Sequence, residues 1–318
     1  MRLLGDTVRL SVEYVSRRNG RPRHEVEEWI ASALHMRRLD LYLSYDRPLT
    51  EAELSSIRPG LVRMAGGEPL AHILGRAPFY GHEFIVSPDV LIPRPETETL
   101  VERAIAFCRA QPAGTIFDVC TGSGCIGLSL KAALPEWNVE LSDISHEAVS
   151  IAKRNAARMN LSVAVHQGDL LTPFCGKIAS CITCNPPYLS SAEWEELDPS
   201  VTAFEPRLAL ESGPTGIEFY ERMVESLPSY LSSPGLVLFE CSPQLCVKVA
   251  SMCRQFFHTE IIDDLFGRQR VVAAYNYEVK SGGHSLAAGA SSGSVGRGSS
   301  SVARACSSRI EKRNCSMI

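Results

Sequence analysis

Apolar and polar positions recur with two different periods along this chain, and the change of period divides it. From Leu3 to about Arg76 the apolar residues fall three and four apart: Leu10, Val12, Tyr14 and Val15, then Val26, Trp29, Ile30 and Leu34. That spacing predicts amphipathic helices. Pro22 stands where a first helical turn tolerates it. Thr50-Glu51-Ala52-Glu53 opens a further helix with a hydroxyl cap and an acidic first turn, and Gly66-Gly67 closes it. Around Gly81 the pattern changes: Phe79, Tyr80, Phe84 and Val86 alternate, with Pro88-Asp89 beyond, which predicts a hairpin. A helix is expected from Glu96 or Thr97 to Ala110.

From Ala113 short apolar runs alternate with helical stretches, the pattern of a doubly wound parallel sheet. Strands are expected at Thr115–Val119, Val139–Leu141, Val163–Val165, Ile178–Ile182 and Leu236–Phe239. Helices are expected at Gly124–Leu134, Ser145–Met159, Gly216–Leu231 and Gln244–Phe256. Glu260–Ile262 and Val271–Tyr275 are joined by a short loop at Gly267, too short for a crossover, so they form an antiparallel pair. The expected fold is α/β, a doubly wound seven-stranded sheet with a small all-α domain before it. Residues 1–76 are the helical domain, 77–93 a hairpin linker and 94–280 the sheet domain. Residues 281–318 are rich in Ser, Gly and Ala and cannot bury enough apolar surface to order themselves. The final Cys315-Ser316-Met317-Ile318 has the length of a prenylation box, but Ser316 is not aliphatic.

Composition narrows the classes. Apolar residues at 45% and charged ones at 21% of 318 residues describe an ordinary globular protein. A net charge of −4 gives no general attraction to nucleic acid. No apolar run approaches membrane-spanning length, and Asp6 comes too early for a signal peptide. The eleven cysteines are scattered through apolar segments, as buried free thiols in a reducing cytosol would be. Cys181 and Cys184 form a C-x-x-C, yet on a strand they face opposite sides. The expectation is therefore a cytoplasmic monomer without metal. Residues 1–76 carry arginine and no lysine. That suits a solvated face of a small bundle first and a docking surface second.

The chemistry sits at the carboxyl ends of the strands. The first runs into Asp118-Val119-Cys120-Thr121-Gly122-Ser123-Gly124-Cys125-Ile126-Gly127. Gly122, Gly124 and Gly127 satisfy G-x-G-x-x-G, with Asp143 nearly twenty residues on, which taken alone fits a dinucleotide site. Asp118, a carboxylate before the loop, suits a cationic ligand better than a pyrophosphate. S-adenosylmethionine, with its sulfonium, ammonium and ribose, meets both requirements. Gly168-Asp169-Leu170 would contact its adenine, or would be a simple turn. The fourth strand ends in Thr183-Cys184-Asn185-Pro186-Pro187-Tyr188. Two prolines stop it and leave Asn185 where open α/β sheets bind ligands. The Asn185 side-chain oxygen and the proline carbonyls make a stiff acceptor cluster beside the Tyr188 ring, suited to a planar –NH2 group. A hydride-transfer enzyme would have no use for that cluster. The bland alternative is a strand end with a proline turn.

Residues 1 to about 278 resemble the N5-glutamine methyltransferases that modify peptide chain release factors. The stretches that carry the resemblance are Leu91-Ile92-Pro93-Arg94-Pro95-Glu96-Thr97-Glu98, Asp118 to Gly127, Gly168-Asp169-Leu170, Asn185-Pro186-Pro187-Tyr188, Glu205-Pro206-Arg207-Leu208-Ala209-Leu210 and Gly267-Arg268-Gln269-Arg270-Val271. The resemblance implies a Rossmann-like methyltransferase sheet. It implies an S-adenosylmethionine site at Asp118, Cys120, Thr121, Gly122, Ser123, Gly124, Asp143, Asp169, Leu170 and Asn185. It also implies that Asn185, Pro186, Pro187 and Tyr188 hold a glutamine of a Gly-Gly-Gln loop, with Arg94 in the same site and Asn185, Pro186 and Tyr188 serving catalysis. The implied partner is a release factor, with no specific nucleic acid and no membrane. Cys120 stands where the family usually has a glycine, Ala179-Ser180 where it has an aromatic-aspartate pair, and Ser242 where it has a glycine. An amide nitrogen is a poor nucleophile, so the expected mechanism is positioning: Asn185 and the Pro186 carbonyl accept both amide hydrogens and aim the lone pair. The rivals are adenine-N6 methylation of DNA, which shares Asn-Pro-Pro-Tyr but needs a basic groove and a flipped base, a non-catalytic binding module, and a dehydrogenase.

Overall fold

The computed structural model describes residues 2–277, so the expectations for 281–318 and its terminal box lie outside the described residues. Helices α1 (Leu4–Asn19), α2 (Arg23–Ala33) and α3 (Glu51–Ala65) pack with the short helices Arg38–Tyr42 and Leu70–Leu74. Their own core includes Leu4, Val8, Val15, Ile30, Ile57 and Met64. Thr50 begins α3 through a reciprocal capping box with Glu53. The buried stripe of α1 is Leu4, Thr7, Val8, Ser11 and Val15, while Leu10 and Tyr14, expected inside, are exposed. A polar Thr7 is accepted on that stripe because its hydroxyl donates to the Leu3 carbonyl, 3.0 Å away. The arginines are largely committed within the fold: nine of the twelve between Arg2 and Arg76 reach a carboxylate of the same chain. Exposed pairs of this kind are each worth little.

The hairpin pairs Arg76–Phe79 with His82–Ile85. Tyr80 and Gly81, at φ 47° and 73°, make the left-handed two-residue turn that matches strand twist. Phe79 and Phe84 belong to a core cluster of the sheet, so this segment is packed and not a loose connection. The chain continues through α4 (Glu98–Arg109), β1 (Thr115–Val119), α5 (Cys125–Ala133), β2 (Asn138–Asp143), α6 (His146–Arg158), β3 (Ala164–Gln167) and β4 (Ala179–Cys184). After a long segment come α7 (Glu218–Ser226), β5 (Leu231–Glu240), α8 (Pro243–Cys253), β6 (His258–Asp263) and β7 (Gln269–Asn276).

The seven strands lie in the order β6-β7-β5-β4-β1-β2-β3. From β5 to β3 neighbours are parallel, and β7 is antiparallel to both β5 and β6, as the short Gly267 loop requires. The sheet is covered on both faces by separate apolar clusters, with Cys181 in one and Cys184 in the other. Of the nine described cysteines, seven are buried, Cys120 is partly so and Cys175 is exposed against expectation. Three boundaries also differ. The expected Gly216–Leu231 helix stops at Ser226, because Pro228 turns Leu227–Ser229 into a 3-10 turn. That frees Leu231 to open β5, five residues early, against Ala179 of β4. Helix α8 ends at Cys253, not Phe256. Two short strand pairs, Arg2–Leu3 with Pro48–Leu49 and Leu189–Ser190 with Glu211–Gly213, were not expected. No helix among the described residues is long and apolar enough to cross a membrane.

Gly60 lies inside α3, where glycine normally costs about 1 kcal/mol relative to alanine. Here a Cβ would meet Trp29 ring atoms at 2.1 Å, and Trp29 Nε1 donates to the Ile57 carbonyl at 2.8 Å. Gly60→Ala should therefore destabilise the chain by about 1–3 kcal/mol, the cost of overpacking. Urea unfolding followed by tryptophan fluorescence measures it; a more stable variant would show that the ring moves aside freely.

Candidate active site

The loop after β1 is built from left-handed backbone. Cys120, Gly122 and Gly124 have φ of 58°, 55° and 84°. Cys120 thus occupies a conformation that costs an L-residue roughly 1–2 kcal/mol. A Cβ on Gly122 would meet no atom within 4 Å, so that residue faces open space. Gly124 is needed for packing as well, since a Cβ there would press on Leu128 and Ala152. Gly127 lets α5 approach the sheet: its Cβ would lie 2.8 Å from Leu141 and 2.9 Å from Asp118. The loop is tied to β2 by Thr121 N–H to the Ser142 carbonyl (3.0 Å) and Gly122 N–H to Asp143 Oδ2 (2.8 Å). Asp143 Oδ1 accepts from Ser145 N–H at 3.0 Å. Burial pushes the Asp143 carboxyl above its usual range, and these backbone donors oppose the rise.

Asp118 corrects the sequence reading. It does not face a ligand: it is fully buried and accepts from the Thr121 hydroxyl, the Thr183 hydroxyl (2.8 Å) and Gly127 N–H (3.0 Å). Its carboxylate joins β1, β4 and α5 from inside. Burial pushes it up to about 6 against those three donors.

A cavity of about 390 Å³ opens at the carboxyl ends of β1, β2 and β4. Cys120, Thr121, Gly122 and Ser123 line it from the glycine loop, and Asp143 and Asp169 from the ends of β2 and β3. Asn185 and Pro187 line it from β4, and Arg94 from the segment before α4. Four further predicted residues besides Asp118 do not line it. Gly124 is buried under the loop. Leu170 (φ 48°) packs into the core, and its carbonyl accepts from Ser142. Pro186 is buried. Tyr188 is no wall of the cavity: its N–H goes to the Leu210 carbonyl, 3.1 Å away, and its ring packs against the α7 and α8 cluster. Among the described residues none donates a hydrogen bond to the Asn185 side-chain oxygen or to the Pro186 and Pro187 carbonyls.

The opposite wall was missed. Val90, Leu91, Pro93 and Thr97 line the cavity from one side, Leu208 and Ala209 from another, and Phe219 and Arg222 from α7. Glu205 fastens two of these walls, pairing with Arg94 and accepting from Ile92 N–H at 3.2 Å. Arg222 pairs with Asp169 across fifty-three positions, which no local pattern announces. Glu205 and Leu208 lie in a segment that carried the family resemblance, and that was their only signal.

Comparisons with known proteins converge on one family. The PrmC N-terminal domain matches residues 13–75 and the Methyltransferase small domain matches residues 97–198. The release factor glutamine methyltransferase of Geobacter sulfurreducens is 39% identical, over 69% of this chain and 76% of its own. This chain belongs to the release factor glutamine methyltransferases. The enzyme of that name from Chlorobaculum tepidum is 36% identical over 74% of this chain and 84% of its own, and that of Bacillus subtilis 34% over 82% and 94%. In this member of the family the glycine loop tolerates a cysteine at Cys120 because the Cβ can occupy the left-handed conformation, at a cost in strain.

Asp118 makes stability depend on pH. Its folded pKa is raised to about 6, above that of an unfolded aspartate, so its contribution is full below pH about 4 and is lost as pH rises through about 6. Urea titrations should show the methyltransferase losing stability relative to Asp118→Asn as pH is raised from about 4 to about 7. A stability gap that stays flat with pH would mean that Asp118 ionises as freely as in water.

Proposed function

We propose that this chain transfers a methyl group from S-adenosylmethionine to the side-chain amide nitrogen of a glutamine in a peptide chain release factor. The observation that carries the reading is the set of unsatisfied acceptors at the end of β4, Asn185 Oδ1 and the two proline carbonyls, set beside a glycine loop and Asp143. The cavity residues fit the cofactor. Gly122 leaves open space against the loop, and Asp143 keeps lone pairs free beyond its two backbone donors for ribose hydroxyls. Cys120, Thr121, Ser123 and Asp169 line the same space. The cofactor, when bound, supplies an electrophilic methyl on a sulfonium.

The chain's own residues do the rest. Asn185 Oδ1 and the Pro186 carbonyl accept the two amide hydrogens and so direct the nitrogen lone pair. Pro187 keeps that backbone rigid. Arg94, held by Glu205, closes the side of the site. Tyr188 supports the turn from below. Residues 1–76 dock the body of the protein substrate, 77–93 join that domain to the site, and 94–280 carry out the transfer. Since most arginines there are already paired, the docking face is read from exposed Leu10, Tyr14 and Val62. The protein acts as a cytoplasmic monomer, without nucleic acid or membrane partner. Remote docking fixes the amide against the methyl, which a free glutamine cannot match.

Label from tritiated S-adenosylmethionine should appear on one glutamine of a release factor, hardly on free glutamine and not on duplex DNA. Mass-spectrometric mapping that puts it on adenine, lysine or arginine would overturn the reading. Asn185→Ala should lower the rate by roughly 10²–10³-fold, the effect of losing one preorganised hydrogen-bonding group. Asp143→Ala should weaken S-adenosylmethionine binding by about 1.5–3 kcal/mol in calorimetry, as loss of charged hydrogen bonds does. Unchanged affinity would remove Asp143 from the cofactor site.

A further inference from the structure

Glu240 ends β5 with its side chain sealed in, only 2% exposed, and its Oε2 makes no hydrogen bond. A buried carboxylate oxygen without a partner is costly and rare in native folds. Its place is specific. Phe239 pairs with Cys184 across the parallel β5–β4 ladder, so the next residues along are Glu240 and Asn185. Phe239 and Cys184 both belong to the cluster under α7 and α8. Alternation along the strand therefore turns Glu240 to the other face, under the turn before α4. Thr97 stands in that turn. It lines the cavity, it is buried, and its hydroxyl also completes no hydrogen bond of good geometry. The hydroxyl is nonetheless close enough to Glu240 to oppose the rise in its pKa.

The groups facing Glu240 come from every neighbouring element. Arg94 and Glu96 approach from the segment before α4, and Arg270 from β7. Tyr188 lies beyond β4 and Cys125 on α5. The Glu240 backbone carbonyl accepts from the Tyr220 hydroxyl at 2.7 Å. Burial dominates over the two arginines and pushes the carboxyl up to about 7. Other carboxylates nearby are committed: Asp118 to three donors, Asp143 to two backbone N–H groups, Asp169 to Arg222.

We propose that Glu240, acting through the Thr97 hydroxyl, receives the proton that the glutamine nitrogen sheds on methylation. The inference rests on the function proposed above. The nitrogen lone pair takes the methyl carbon, and the former S–C bonding pair remains on sulfur. The nitrogen then carries one proton more than the product amide. Asn185 Oδ1 and the Pro186 carbonyl are amide oxygens, too weakly basic to keep it. Thr97 Oγ1 accepts that proton while its own passes to the Glu240 carboxylate. Glu240 is then neutral, and it returns the proton to water once the docked substrate has left.

The first test needs no release factor. Infrared difference spectra of the full chain, with ¹³C-carboxyl glutamate and with or without S-adenosylhomocysteine, should show a protonated carboxyl band that disappears with a midpoint near 7. The band should be missing from Glu240→Gln. The second test is kcat against pH with release factor as substrate. The wild type should gain about tenfold per pH unit up to its midpoint and then level off. Glu240→Gln should be about 10²-fold slower above neutrality and lack that acid limb. Thr97→Ser should keep the wild-type profile and Thr97→Val should lose it, with affinity for S-adenosylhomocysteine unchanged in both. A glutamate band that does not titrate across neutrality overturns the relay, as does an acid limb retained in Glu240→Gln. If Glu240→Gln does not fold, the wild-type band and the Thr97 pair decide. Absence of glutamine methylation by the wild type overturns the function proposed above. Glutamine methylation with a pH profile indifferent to Thr97→Val overturns only the relay.

Discussion

The parallel pairing of β1 with β4 is the constraint on which the site depends. Val119 lies opposite Cys184, so both strands end at the same level. One then breaks into the left-handed glycine loop and the other into two prolines. The ladder sets the spacing between the glycine loop and the proline turn without any side chain having to do so. Asp118 holds the same junction from inside, with Thr121, Thr183 and Gly127 as its donors. The carboxylate fastens the two strands and the helix that must not slip relative to one another.

A second tie carries this rigidity outward. Asn155 on α6 is buried, and its amide nitrogen donates to the Ile85 carbonyl (3.0 Å) and the Ser123 carbonyl (2.8 Å). Its oxygen accepts from Ile85 N–H at 2.7 Å. One side chain therefore fixes the hairpin strand to the glycine loop and satisfies backbone groups that water cannot reach. Glu205 plays the matching part on the other side, where it draws Arg94 and Ile92 towards the long segment after β4. Between them the cavity has walls contributed by parts of the chain more than a hundred residues apart.

The sequence made legible whatever is local. The period of apolar residues located the longer helices and most strands, the glycine spacing located the loop, and the double proline located the end of β4. The short Gly267 loop showed that the last two strands are antiparallel. What stayed hidden is non-local. Asp118 looks the same on paper whether it faces a cation or three internal donors, and the Thr183 hydroxyl that decides this lies sixty-five positions away. Arg222 and Thr97 line the cavity because helices bring them there, not because of their neighbours in sequence. The Gly216–Leu231 error was of another kind. Pro228 was a readable stop signal, and the apolar run on either side of it masked the break.

Asp118 and Glu240 show how the same burial can serve two ends. Both are sealed at the carboxyl edge of the sheet, and burial raises the pKa of both. Asp118 has a donor for each lone pair it uses, so its cost is offset by the junction it holds. Glu240 has an oxygen with no partner, and a charge buried that way weakens the fold. A residue serving packing alone would do better as an amide or a hydrophobe of similar size. The Thr97 hydroxyl and the two arginines at its flank oppose the burial without overcoming it. A carboxyl balanced near neutrality behind the cavity-lining Thr97 is what proton transfer asks of a side chain, and nothing in the packing of β5 asks for it.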